Sequence, residues 1–189
     1  MVDSTTAETA VEQLRLEPLP ALDPAIGRAL WPLVGARGRL KEVLAALDAT
    51  MLDWEPYPGG NSMGTLLYHI AAIELDWLYC EVLEQEFPPD VQALLPYPVR
   101  DKTGRLFPVT AVSLTDHLQR LDTARQMLLD VYASLTLADF RRARQLPQYH
   151  VTPEWVLYHL TQHETEHRGQ IQEICAFLSA THFPKADSP

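Results

Sequence analysis

The stretch HETEHRGQ, residues 163–170, decides how this chain is read. His163-Glu164-Thr165-Glu166-His167 satisfies H-E-x-x-H, the pattern in which two histidines one helical turn apart bind zinc and the Glu between them acts as base. The same spacing suits any site that draws two imidazoles from one helix face. Val156, Leu160, His163, His167, Ile171, Ile174 and Leu178 follow steps of three and four, which predicts a helix whose inward stripe carries both histidines. Thr152-Pro153-Glu154 supplies its start: a capping hydroxyl, proline at the first helical position and an acid in the first turn. The helix should end near Thr181, before Pro184.

Working outward, prolines and caps mark three further helices. One runs from Pro24 or Pro32 to about Asp48, with Leu33, Leu40, Val43, Leu44 and Leu47 at helical spacing. WEPYPGGN, residues 54–61, is a turn, and Asn61 or Ser62 then caps a second helix reaching about Glu86. Residues 87–112 hold five of the fifteen prolines and show no period, which predicts a long loop. Ser113 or Thr115 caps a third helix, to about Ser134, with Leu118, Leu121, Met127, Leu128 and Val131 towards the core. No segment alternates like a strand. The expected architecture is an all-α four-helix bundle over 23–183, with polar tails at 1–22 and 184–189 and the long loop between helices two and three.

Two histidines do not complete a metal site. His69, between Leu66 and Ile73 on the apolar face of the second helix, is either an ordinary core histidine or the third ligand. Three imidazoles buried together without an ion would need several partners and would repel one another once protonated. A His69–His163–His167 site answers both difficulties. His159 lies one turn earlier, but successive i+4 steps drift by about 40° around a helix, so it reads as packing or as support for the ligands. Glu164 and Glu166 are the other candidates to support the ligands, and His117, His150 and His182 read as surface or capping residues. Gly169 suggests close approach of another helix, and Arg168 a structural role.

The metalloprotease reading fails at its third ligand. Gln170 takes the glycine position of the extended motif, and the only Glu after His167 is Glu173 on the same helix. A metal hydrolase stays as a minor alternative. The chain has 189 residues, 47 % of them hydrophobic and 21 % charged, which fits a single globular domain. A net charge of −10 argues against nucleic acid or an anionic membrane as partner. Arg141, Arg142 and Arg144 form a short basic run expected on a solvated connector. Cys80 and Cys175 have no C-x-x-C spacing and are expected as small buried hydrophobes. No signal peptide or membrane span is read, and the expected location is cytoplasmic.

WEPYPGGNSMGTLLYHIAAIELDWL, followed by WVLYHLTQHETEHRGQI, resembles the DinB-like superfamily of four-helix-bundle metalloproteins over roughly residues 33–178. The resemblance implies a metal triad at His69, His163 and His167, with His159 outside it, a zinc or nickel ion, and a homodimer. It also implies kinship with bacillithiol S-transferases and mycothiol-dependent maleylpyruvate isomerase. In the mycothiol branch a Glu usually stands where this chain has His163, so the three-histidine set is nearer the transferase pattern. The expected function is a metal-dependent thiol S-transferase acting with a low-molecular-weight thiol and a small electrophile. The ion would lower the thiol's pKa from its free value of about 8.5. Arg100, Lys102 and Arg105 are candidate contacts for an anionic thiol. The alternative is a non-enzymatic metal-binding or stress-response bundle, whose ion would be structural and closed off.

Overall fold

Short polar side chains set where the helices begin. The computed structural model describes residues 13–45 and 47–182, so the tail at 184–189, the first twelve residues and the His182 side chain lie outside the described residues. Helix α1 spans Pro24–Ala45, entered through Asp23, whose carboxylate accepts the Ala25 N–H at 2.7 Å. It passes through Pro32, which faces solvent, so the carbonyl freed one turn earlier can turn to water. A 3-10 turn at Ala49–Met51, capped by Asp48, leads to α2, Met63–Asp76, capped by Ser62 through the Thr65 N–H. From Trp77 to Val82 this helix widens into a π-turn, and it stops at Glu84, which has φ +55°.

The proline-rich segment expected as loop contains a short helix α3, Pro89–Leu94, started by Pro88-Pro89, and an isolated bridge from Arg100 to Leu106. Helix α4 covers Leu114–Ser134 with Ser113 as cap. The connector after it holds α5, Leu137–Arg141, and an antiparallel hairpin of β1, Arg144–Gln145, with β2, His150–Val151. Helix α6 runs Pro153–His182. The four long helices form the expected bundle, α1 packing chiefly on α6, and α2 on both α4 and α6.

The core sorts by residue number. Ile26, Leu30 and Leu33 of α1 meet Leu78 and Val82 after α2, Leu128 and Tyr132 of α4, and Val156 and Leu160 of α6 in one apolar cluster. Leu40 and Leu44 meet Leu66, Ile70, Leu121, Ile171, Ile174 and Leu178 in another. Helices α1 and α6 therefore run one way, and α2 and α4 the other.

Between the clusters lies a charged layer with one residue from each long helix. Arg37 Nε donates to Glu164 Oε1 at 2.6 Å and its Nη2 to Glu74 Oε2 at 2.8 Å. Arg125 Nε donates to Glu74 Oε1 and its Nη2 to Glu164 Oε2, each at 2.6 Å. The remaining Nη1 atoms donate to the Leu121 and Leu33 carbonyls. This closed, neutral ring is buried throughout. Burial alone would raise the Glu74 carboxyl, but Arg125 and Arg37 outweigh it and hold its pKa below the usual value.

Several expectations change here. Arg144 is buried and donates to the carbonyls of Val82, Asp139 and Arg142, while Arg141 and Arg142 stay on the surface. His117 is buried, not on the surface, whereas His150 is exposed. Cys80 is exposed, and Cys175 is half-buried, packed against the core with its Sγ 3.7 Å from Met63 Sδ. Among the described residues a Cβ on Gly169 would meet nothing within 4 Å, so none of their helices approaches it; a Cβ on Gly27 would collide with the Leu19 carbonyl oxygen. The end of the expected N-terminal tail is thus held on the bundle, with Leu19 N–H donating to Gly27 O and Leu22 N–H to Ala133 O. Among the described residues no helix is long and apolar enough to cross a membrane.

Candidate metal centre

His69 reaches the site from the middle of α2, and His163 and His167 from adjacent turns of α6, because each continues its helix's inward stripe. The three rings meet by their Nε2 atoms. His163 Nε2 lies 3.1 Å from His69 Nε2 and 3.0 Å from His167 Nε2. Four tetrahedral ligands at the 2.0–2.1 Å of zinc–nitrogen bonds sit about 3.3 Å from one another, so the observed spacing is near that of a ligand set. Among the described residues this is the one cluster of three or more His, Cys, Asp or Glu side chains close enough to share an ion.

The protonation pattern agrees with that use. His167 Nδ1 lies 2.8 Å from Gln170 Oε1. An amide oxygen only accepts, so Nδ1 is the donor in this contact and Nε2 is the atom turned to the other two rings. Burial, then the neighbouring His167 and Arg100, push His69 down to about 4, and burial with the surrounding histidines pushes His163 down to about 3. Both are neutral bases near pH 7. Neutral imidazoles with their lone pairs turned together repel, and a shared proton relieves one pair only. A cation among them relieves all three, and the residues present fit a divalent ion. The buried Nδ1 of His69 has no hydrogen-bond partner among the described residues.

The histidines form the floor of an open cleft of about 380 Å³, with Ile73, Trp77, His159 and Arg100 around it. Arg100, from the proline-rich segment, donates to the Gly104 carbonyl at 2.8 Å and has no carboxylate partner among the described residues. That segment is pinned at both ends. Tyr68 Oη exchanges hydrogen bonds with the backbone of Tyr97, Thr65 Oγ1 accepts the Val109 N–H, and Asp53 accepts the Ala111 N–H. Ala111 is held at φ +57°, a conformation that costs energy for a residue with a Cβ.

The other candidate residues fall elsewhere. Lys102 is exposed and does not line the cleft, and Arg105 lies over Gly59, where its guanidinium would sit 2.8 Å from an added Cβ. His159 stacks on Trp155 with its ring 5.2 Å away and 6° from parallel, and lies 6.0 Å from the His163 ring, so it is a packing residue at the cleft wall. Glu164 turns away from the histidines into the charged layer, where Arg37 and Arg125 take both its oxygens. It neither supports the ligands nor can it serve as the base of a metal hydrolase. Glu166 is exposed and does not line the cleft. Sequence reasoning missed Gln170 as a partner; its place three residues after His167 puts it on the same face and was the available signal.

No curated protein matches the chain. The family model of the DinB superfamily matches residues 33–171, a span that holds all four long helices' contributions to the charged layer and all three converging histidines. By its fold and by this match, the chain belongs to the DinB superfamily.

Proposed function

We propose that the chain is a metal-dependent thiol S-transferase that joins a low-molecular-weight thiol to a small electrophile. One observation carries this reading: three imidazole nitrogens converge, without protein donors between them, on the floor of a cleft open to solvent. His69, His163 and His167 would hold the ion, zinc or nickel, and Gln170 fixes the His167 tautomer. A divalent ion in that place supplies a positive charge that makes a thiol more acidic at neutral pH. Arg100 presents a guanidinium at the rim without a competing carboxylate, which suits the carboxylate of a cysteine-derived thiol. Its pinned segment holds it there at little entropic cost.

The fold itself favours catalysis over a purely structural ion. The four long helices are already tied together by the charged layer, so the bundle does not need the histidines to hold it. A structural ion would be closed off, and its removal would unfold the chain.

The test is a rate. Protein loaded with zinc or nickel should accelerate conjugation of cysteine-containing small thiols to an alkylating electrophile, whereas protein stripped with a chelator and His167→Ala should not. Equal rates with and without metal, across a panel of such thiols, would refute the transferase reading.

A further inference from the structure

A second cleft adjoins the first. It measures about 430 Å³, within the roughly 300–1,000 Å³ usual for small-molecule sites, and is lined by Trp77, Tyr149, His150, Val151, Thr152 and Trp155. Trp77 belongs to both clefts, and His159 lies between Trp155 and His163. The aromatic walls therefore lead directly to the converging histidines.

The rings form two stacked pairs, and Trp77 is tilted by 41° against Trp155. Trp155 and His159 stack nearly parallel, and Trp77 and Tyr149 lie 6.2 Å apart with their planes 26° from parallel. Tyr149 Oη donates to Glu81 Oε1 at 2.8 Å, which turns its polar tip into the protein and leaves the ring to the cleft. Trp155 is 46 % exposed and Tyr149 42 % exposed, large apolar surface that the bundle leaves uncovered. The π-turn at Trp77–Val82 carries both Trp77 and Glu81, and such widened turns are weaker than α-helix and are found mostly where function holds them. No lysine, arginine, aspartate or glutamate lines this cleft, and His150 is the one imidazole in its lining.

We infer that this cleft seats an uncharged planar aromatic or conjugated group, placing the rest of its molecule over His163 and His69. In the proposed transferase this group belongs to the electrophile, opposite the thiol side marked by Arg100. The inference rests on that reading for the guest's role, but not for the binding itself.

Binding is tested by equilibrium dialysis of the untagged full chain with 4-nitrobenzyl alcohol, an unreactive neutral nitroaromatic, against cyclohexylmethanol as competitor. The aromatic ligand should bind saturably and at least about tenfold tighter than its non-planar analogue. Trp155→Ala, at a half-exposed position that should leave helicity intact, should weaken it about tenfold, and Trp155→Phe should restore most of the loss. Absence of saturable binding, equal affinity for the two alcohols, or an unaffected Trp155→Ala would overturn the inference. So would a wild-type dimer that fails to bind and dissociates on Trp155→Ala, which would give the cleft to a second copy of the chain. Ring binding without any thiol transfer would leave this site standing and remove only the role given to it above.

Discussion

The charged layer and the histidine centre, two polar places in this bundle, are built on opposite rules. In the charged layer Arg37, Glu74, Arg125 and Glu164 alternate in sign, close a ring and use the spare guanidinium nitrogens on two helix carbonyls. Nothing is left to bind. At the histidine centre three imidazoles turn their Nε2 atoms together at the floor of a cleft. A satisfied set of charges is a fastening, whereas an unsatisfied set of like donors is a place for something else.

The largest effect should come from opening the ring. Arg125→Ala leaves Glu74 and Glu164 with one guanidinium between them in a buried layer, which should cost about 3–5 kcal/mol in urea unfolding. A loss below about 1 kcal/mol would mean that the layer is hydrated or slack, and the contrast with the histidines would fall.

Acid should distinguish histidine from ring. Buried His117 is pushed down to about 4 by burial and then Arg120, with Asp53 and Asp116 opposing. Its unfolded form takes up a proton near pH 6.5 and its folded form only near 4, so stability is lost as pH falls across that window. The loss is at most about 3.5 kcal/mol, from roughly 1.4 kcal/mol per unit. The Glu74 carboxyl is held below its usual value, so its contribution is lost only at lower pH. His117→Leu should lessen the fall between pH 6.5 and 4 without abolishing it, because His69 and His163 are pushed down too; an unchanged slope would exclude His117 as a source.

Removing a histidine from the metal-free protein should matter less. His163 is half-buried at the cleft and its close partners are the two neighbouring imidazoles, so His163→Ala should shift the unfolding free energy by within about 1 kcal/mol. A loss as large as that of Arg125→Ala would make the triad part of the fastening. Smallest of all, Gly169→Ala should stabilise the chain by about 0.5–1 kcal/mol, since an added Cβ meets nothing within 4 Å. Destabilisation there would point to an unseen neighbour on that face of α6.

Local signals carried much of the fold. Ser62 and Ser113 as caps and Pro153 at a helix start are decided by the chain's own neighbouring residues, and the structure keeps them. The stripe through His163 and His167 was likewise readable, because i+4 spacing fixes which side chains share a face. The charged layer was not read, although each member lies on a core step: Arg37 between Leu33 and Leu40, Arg125 between Leu121 and Leu128. Spacing reports a face, but not that three other helices present the matching charges to it. His117 and Arg144 were misjudged for the same reason, since their burial depends on elements distant in sequence. Helix α3, at six residues, and the two-residue strands are too short to show a period. The aromatic cleft needs the connector's Tyr149 beside Trp77 and Trp155, a meeting that no local pattern announces.

The most direct test of the contrast is elemental analysis of untagged protein prepared without nickel resin, followed by circular dichroism before and after chelation. The account predicts about one zinc or nickel per chain, lost in His69→Ala and His167→Ala and on chelation, with helicity retained each time. Wild-type protein that neither carries nor takes up metal, or a bundle that unfolds when its metal is removed, would contradict it.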